Sequence, residues 1–118
     1  MLYIAGNCIR DTECGPIMKW TDVSFFIFLN YIDENSVAIV GIGKDEKIHL
    51  YKMDAGLPYC FYEIMSFEAF SLYKISVIDR KATMIVFTDG LTYGEPKATQ
   101  EIIVVDLDSG EVLFRNKL

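Results

Sequence analysis

Histidine and cysteine are the residue types through which this chain could bind a metal or form a covalent intermediate. His49 is the only histidine, and the three cysteines, Cys8, Cys14 and Cys60, include no Cys-x-x-Cys pair. A zinc site usually needs four ligands, mostly of these types, and a nucleophilic cysteine needs a neighbouring base. No spacing pairs His49 with a cysteine. We therefore expect no enzyme, no metal and no cofactor, and a structural role for His49 on a strand.

Two short motifs approach known ligand loops without meeting their requirements. The run Asp106-Leu107-Asp108-Ser109-Gly110 begins like a calcium loop, but its glycine comes one position early and a strand follows directly. The run 41–44 (GIGK) lacks the spacing of a phosphate-binding loop. We predict instead that 106–110 is a hairpin turn, in which the Asp108 side chain caps the turn and Gly110 supplies a positive φ.

The elements around these residues are mostly β-strands. The chain is 52% hydrophobic and rich in Phe, Tyr, Ile and Val, and Asp, Asn and Gly separate the apolar runs. A serine cap and apolar residues three apart predict one short helical turn over 66–72. The predicted strands are 2–9 (at a sheet edge), 17–20, 24–32, 37–42, 48–53, 59–65, 72–78, 83–88, 102–107 and 111–114.

The same pattern of strands and turns occurs twice along the chain. An offset of 46 aligns Ile32-Asp33 with Ile78-Asp79 and Ile39-Val40 with Ile85-Val86. An offset of 54 aligns Ile48, Asp54 and Gly56 with Ile102, Asp108 and Gly110. These identities favour two similar four-stranded units, although β-rich meanders also resemble one another by chance.

The run 102–115 (IIVVDLDSGEVLFR) looks like the outer hairpin of a β-propeller blade. Two blades cannot close a propeller, so this resemblance implies either a different closed fold or an oligomer that completes a larger ring. We predict an all-β fold, an antiparallel meander of about 8–10 strands arranged as a sandwich or barrel. The chain is expected to be a single domain, with an N-terminal strand and loop (1–22), a first β unit (23–65) and a second β unit (66–118).

Four strands contain continuous apolar runs: FFIFL at 25–29, VAIV at 37–40, MIVF at 84–87 and IIVV at 102–105. An antiparallel strand with one face in water alternates apolar and polar residues. The runs therefore predict strands that are covered on both faces, by a second sheet or by a partner surface.

The net charge limits the classes of partner that the chain is expected to bind. The net charge of −6 opposes contact with a phosphate backbone and suits a basic protein, although many soluble domains are acidic simply for solubility. No stretch has the apolar length of a membrane helix or the pattern of a secretory signal. Three cysteines without a framework favour reduced thiols and hence the cytoplasm; a Cys8–Cys14 bridge is the alternative.

The candidate binding surface combines a turn with a long loop. In an up-and-down meander alternate turns lie at the same end, which places the turn 44–47 beside the loop 89–101 if the two units are equivalent. This end would present a tyrosine surrounded by carboxylates, an arrangement that anchors and steers a basic partner. The alternative is an ordinary solvated loop. The predicted partner-binding residues are Asp45, Glu46, Asp89, Tyr93, Glu95 and Glu101.

Three functions remain open from the sequence. The first is a non-enzymatic binding protein, in its most specific form a small acidic immunity or antitoxin protein that covers the active site of a basic bacterial toxin such as a nuclease. The chain shares with immunity proteins its small size, acidity and lack of catalytic motifs. The second is a structural module that assembles with itself, which allows a homodimer. The third is a small-ligand binder or enzyme with a cleft between the two units.

Overall fold

The computed structural model describes residues 1–13, 15–19, 22–69, 71–88 and 99–118. Within these ranges the chain is all-β and antiparallel, which confirms the predicted fold class, and it forms eleven strands. In chain order they are β1 (Leu2–Ala5), β2 (Cys8–Asp11), β3 (Gly15–Lys19), β4 (Val23–Asp33), β5 (Ser36–Gly43), β6 (Ile48–Asp54), β7 (Phe61–Phe67), β8 (Ser71–Ile78), β9 (Lys81–Phe87), β10 (Gln100–Asp106) and β11 (Val112–Lys117).

These strands form three sheets in two compact units. Unit 1, Met1–Ser66, contains a three-stranded sheet ordered β1-β2-β3 and a four-stranded sheet ordered β4-β5-β6-β7, whose last strand ends one residue into unit 2. Unit 2, Phe67–Leu118, contains a four-stranded sheet ordered β11-β10-β9-β8. Each four-stranded sheet is an up-and-down meander, and three open sheets are consistent with the sandwich alternative. The division at residues 22 and 65 within a single domain stays a prediction.

The N-terminal residues depart from the predicted strand over 2–9. They form a hairpin, β1 and β2, because the chain reverses at Gly6, whose φ of 63° suits a residue without a Cβ. The Gly6-Asn7 pair is itself a turn signal that the strand interpretation overlooked. The hairpin is fastened to β4 where Leu2 N–H donates to Tyr31 Oη at 3.1 Å and Phe26 N–H donates to the Gly6 carbonyl at 2.9 Å.

The core of unit 1 lies between its two sheets. The buried side chains that form this core are Leu2, Ile9, Val23, Phe26, Val37, Ile39, Tyr51 and Met53. On β5, Val37 and Ile39 point into it, while Ala38 and Val40 are buried on the opposite face. The prediction that continuous apolar runs are covered on both faces is therefore confirmed for β5.

On β4 the chain itself covers only part of the apolar run, and coverage of the rest by a partner surface stays a prediction. Phe25 and Ile27 are 48% and 39% exposed. β4 is the edge strand of its sheet, and its register with β5 shifts at three places, each of which leaves one residue of β4 without a direct partner.

The short helix expected over 66–72 is also wrong within the described residues. Ser66 and Phe67 end β7, and Ser71 and Leu72 begin β8. A serine cap and two apolar residues do not hold a helix when the flanking residues can join sheet ladders. Local helix formation needs a costly nucleus that a single turn cannot stabilise.

The two meanders share their architecture but not their register. In unit 1, Ile39 pairs with Tyr51. The offsets of 46 and 54 would place Ile85 opposite Val105, whereas Ile85 pairs with Ile102, three positions earlier. An odd shift moves side chains to the other face of the sheet. The sequence identities between the two units therefore reflect similar turns and composition, and they do not correspond to the same strand register.

The final hairpin confirms one part of the predicted turn and corrects another. Gly110 has a φ of 76°, as expected. The turn is capped by Asp106, whose Oδ1 accepts hydrogen bonds from the N–H groups of Asp108 and Ser109, both at 2.9 Å. Asp108 instead binds Arg80 in a two-point ion pair, with Oδ2 to Nε at 2.6 Å and Oδ1 to Nη2 at 2.8 Å.

Candidate functional site

The turn between β5 and β6 positions the first carboxylate of the site. Gly43 N–H donates to the Lys47 carbonyl at 2.9 Å, and Asp45 Oδ1 accepts the Lys47 N–H at 3.0 Å. Lys44 N–H donates to the Asp22 carbonyl at 2.9 Å, which holds the residue before β4 against the turn. These bonds fix the backbone on both sides of Asp45, so its carboxylate is held over the start of β6.

His49 lies between two carboxylates from different elements. Its Nε2 is hydrogen-bonded to both oxygens of Asp45, at 2.9 and 3.0 Å. Its Nδ1 is hydrogen-bonded to Oε1 of Glu63 on β7. Both ring nitrogens of a histidine donate only when the imidazole is protonated. The geometry therefore favours a charged imidazolium bridging two carboxylates.

Alternation along the two strands brings this cluster together with a stack of rings. His49 and Tyr51 are two residues apart on β6, and Phe61 and Glu63 are two apart on β7, so each pair points to one face. The His49 and Tyr51 rings stack with centroids 5.9 Å apart and planes 9° apart, and Tyr51 stacks on Phe61 at 4.6 Å. The site thus continues the aromatic end of the unit 1 core.

The charges of the cluster alter its protonation. Partial burial of His49 opposes its charged form, but the hydrogen bonds to Glu63 and Asp45, and their negative charges, outweigh that effect and raise the pKa of His49 above its ordinary 6.5. The hydrogen bond to His49, followed by the one from Lys47 N–H, lowers the pKa of Asp45 below its ordinary 3.8. Each group therefore favours the charged form of the other.

The negative charges of the site also act on Tyr51, which lies in the core of unit 1. Burial, followed by the charges of Glu63, Asp45 and Asp22, raises its pKa to about 12. Its hydroxyl consequently keeps its proton at neutral pH and is a poor nucleophile. The three carboxylates together create a field that favours cations at this end of unit 1.

A pocket of about 550 Å³ opens at this cluster. Its wall combines three carboxylates, three aromatic rings, one histidine and one lysine. Tyr62 contributes an exposed ring, 48% accessible, beside Glu63. The residues that line the pocket are Asp22, Lys44, Asp45, His49, Tyr51, Phe61, Tyr62 and Glu63. A concave surface with a few converging polar groups and flat apolar walls is the usual form of a binding site.

The hydrogen bonds of His49 limit what its ring can do chemically. A general base needs a free nitrogen lone pair within reach of substrate, and both nitrogens of His49 are engaged by carboxylates. The carboxylates hold the ring at opposite edges and do not converge with it on one point. Among the residues that the structure describes, no group of three or more His, Cys, Asp or Glu side chains is arranged to hold a metal ion.

The described residues of the set predicted from sequence belong to both units. Asp45 and Glu46 are in the β5–β6 turn of unit 1, both exposed, and Glu46 has a φ of 66°. Glu101 is on β10 of unit 2, where its side chain is 12% exposed and accepts a hydrogen bond from Arg115 Nε. The predicted residues Asp89, Tyr93 and Glu95 lie outside the described residues. A role for this set in partner binding stays a prediction.

Sequence reasoning missed most of the pocket. Of the lining residues the predicted set contains Asp45 alone; the sequence prediction assigns His49 a structural role and gives Asp22, Tyr62 and Glu63 no part in binding. The signal was present in two places. Asp45 precedes His49 by four residues across a turn, and the alternating pairs His49/Tyr51 and Phe61/Glu63 place polar and aromatic groups on the same faces of neighbouring strands.

Comparison of the chain with protein-family models, curated proteins and solved structures found no match. Within the described ranges, no helix is long and apolar enough to cross a membrane. Cys8 and Cys60 are free, and Cys14 lies outside the described residues.

Proposed function

We propose that this chain is a non-enzymatic binding protein that docks a basic protein through the acidic pocket of unit 1. The single observation behind the proposal is the cluster of Asp22, Asp45 and Glu63 around His49 at the mouth of an aromatic-walled pocket. An exposed tyrosine beside carboxylates is the combination expected of an anchor and its steering charges. Tyr62, which is 48% exposed, and Glu63 both line the pocket.

In its most specific form the proposal is a cytoplasmic immunity or antitoxin protein. The net charge of −6 would speed encounter with a basic toxin and would repel nucleic acid, the substrate of a nuclease. An inhibitor of this kind needs no catalytic group of its own. It needs a rigid acidic surface. Four hydrogen bonds fix the β5–β6 turn: Gly43 N–H to the Lys47 carbonyl, Lys44 N–H to the Asp22 carbonyl, Glu46 N–H to the Gly43 carbonyl, and Lys47 N–H to Asp45 Oδ1.

The test is capture from a lysate of the native host at low and at high salt, using three matched baits. Wild type is compared with a pocket variant, Asp22→Asn with Glu63→Gln, and with a control variant, Glu34→Gln with Asp54→Asn. The control makes the same charge change at the opposite end of β5 in the same unit. We expect a basic protein that wild type and control retain, that the pocket variant loses and that high salt releases.

The captured protein is then purified and assayed. If it is a toxin, addition of the wild-type chain at equal concentration should abolish its activity, and the pocket variant should not. Retention of the same partner by the pocket variant would contradict the pocket as the docking surface. A fourth bait, Asp89→Asn with Glu95→Gln, tests the loop predicted from sequence in the same experiment.

Self-assembly is the second candidate, and the edge strand β11 favours it. All six of its residues are exposed, including the consecutive apolar residues Val112, Leu113 and Phe114. An open, apolar edge is a template for pairing with another strand. Arg115, Lys117 and the register shift opposite Leu113 are features that reduce such pairing. Light scattering of the purified chain discriminates: a monomer at micromolar concentration would contradict self-assembly.

A further inference from the structure

We propose that the pocket of unit 1 is an arginine subsite, in which one arginine side chain of the basic partner binds Asp45 and Glu63 in competition with the imidazole of His49. This inference rests on the proposed function, since it names the group that the partner inserts. The pocket would be specific for a planar cation, and positive charge alone would not be enough for tight binding.

The present occupant of the space between the two carboxylates indicates which cation fits. The His49 ring donates to Asp45 from one edge and to Glu63 from the other, and lies nearly parallel to the Tyr51 ring, 9° from it. A protonated imidazole is a flat, delocalised cation with N–H donors on opposite edges. Among the other side chains, only the guanidinium of arginine shares that shape and donor arrangement. The carboxylates are thus already placed around a planar cation.

The remainder of the pocket suits the stem and faces of an arginine. Phe61 lies on the same face of β7 as Glu63 and adds a flat apolar ring to the pocket, whose volume is about 550 Å³. A guanidinium is weakly hydrated and stacks on aromatic rings, whereas the ammonium of lysine is a strongly hydrated point charge. The aromatic wall should therefore discriminate between two side chains that carry the same charge.

The charged groups around His49 explain why its ring competes with the ligand. Asp45 and Glu63 are hydrogen-bonded to the ring, Lys44 of the β5–β6 turn and Asp22 before β4 line the same pocket, and the neutral Tyr51 stacks on the ring. Lys44 and a protonated His49 offset two of the three carboxylates. Release of the His49 proton would leave the pocket more negative, so arginine binding should be accompanied by loss of that proton.

The test uses three blocked tripeptides, glycine-X-glycine, in which X is arginine, lysine or citrulline; citrulline has the shape of arginine without its charge. His49 is the only histidine, so its imidazole NMR signals identify themselves. We expect the arginine peptide to shift these signals saturably toward the neutral form. It should bind roughly tenfold more tightly than the other two, the discrimination that one charged hydrogen-bonded contact provides.

Variants place the effect in the pocket. Glu63→Gln should weaken binding of the arginine peptide by roughly tenfold or more, and the control Glu34→Gln should leave it unchanged. Thermal unfolding confirms that each variant is folded. If Glu63→Gln does not fold, Asp22→Asn replaces it as the pocket variant. Equal binding of the arginine and lysine peptides, or no shift of the His49 signals, would overturn the subsite even if the pocket variant still loses its captured partner. Selective binding of arginine with capture that ignores the pocket variant would support the subsite and refute the proposed function.

Discussion

His49 on β6 and Glu63 on β7 are hydrogen-bonded across neighbouring strands, Nδ1 to Oε1, although they are 14 residues apart in the chain. With Asp45 at the other edge of the ring, this bond leaves neither nitrogen of His49 free. The pair joins the acidic pocket to the aromatic stack of the unit 1 core, because His49 also lies on Tyr51. Protonation of one residue is therefore linked to the charge of the whole pocket.

The first prediction concerns that bond directly. Glu63→Gln removes a negative charge and a charged acceptor from the imidazolium, so we expect the pKa of His49 to fall. The measurement is an NMR titration of the imidazole in wild type and variant. Glu34→Gln, an equal change in the β4–β5 turn, should leave the titration in place. An unchanged His49 pKa in Glu63→Gln would contradict the bridge.

The second prediction is a pH window in stability. Because the pKa of His49 is raised, its contribution to the stability of the folded state is complete below the ordinary pKa of 6.5. That contribution is lost as the pH rises through the pKa of His49 in the folded state. Because the pKa of Asp45 is lowered, its share is present above 3.8 and is lost as the pH falls through the folded value. The stability of wild type relative to His49→Gln, measured by denaturant unfolding, should therefore be greatest between 3.8 and 6.5. A difference that grows above that range would contradict the assignment.

The third prediction uses the space beside the cluster. A Cβ at Gly43 would lie 2.6 Å from His49 Nε2 and would also collide with Asp45 Oδ1, whereas one at Gly56 meets nothing within 4 Å. We expect Gly43→Ala to displace the Asp45 carboxylate, lower the pKa of His49 and cost about 1–3 kcal/mol. Gly56→Ala should change stability by less than about 0.5 kcal/mol. Similar unfolding midpoints for the two variants would count against the packing around Gly43.

The fourth prediction separates two aspartates of the last hairpin. The N–H groups of Ser109 and Asp108 lower the pKa of Asp106, so its carboxylate supports the turn itself. Asp108 makes an exposed ion pair with Arg80, a kind of contact that contributes little. Asp106→Ala should therefore destabilise the protein more than Asp108→Ala in chemical denaturation. The reverse order would restore the sequence-based assignment of Asp108 as the cap.

The fifth prediction concerns the backbone of the same turn. Gly110 has a φ of 76°, a region that β-branched residues rarely occupy. We expect Gly110→Val to cost about 1 kcal/mol or more. Gly56, which lacks a positive φ, provides the matched change Gly56→Val. If both valine variants melt at the temperature of wild type, the turn has a different conformation.

The sequence by itself determined the fold class and most strand positions. Apolar runs rich in Ile, Val and Phe, separated by Asp, Asn and Gly, predict a β-meander because their preferences are local. The conformation of Gly110 followed in the same way. The first hairpin could also have been read locally, at Gly6-Asn7. The apolar residues on either side of this pair favour one continuous strand, which conceals the turn.

Only the tertiary structure decided the site. The protonation of His49 depends on Glu63, and their contact depends on the register between β6 and β7, which a predicted meander does not specify. Registers are set by long-range packing and by bulges, and an odd shift moves every side chain to the opposite face. The ladder of Ile85 with Ile102 demonstrates this, since sequence identity implied a different partner. Local preference fixes which residues form strands, whereas the chemistry of the pocket depends on which faces and neighbours those strands receive.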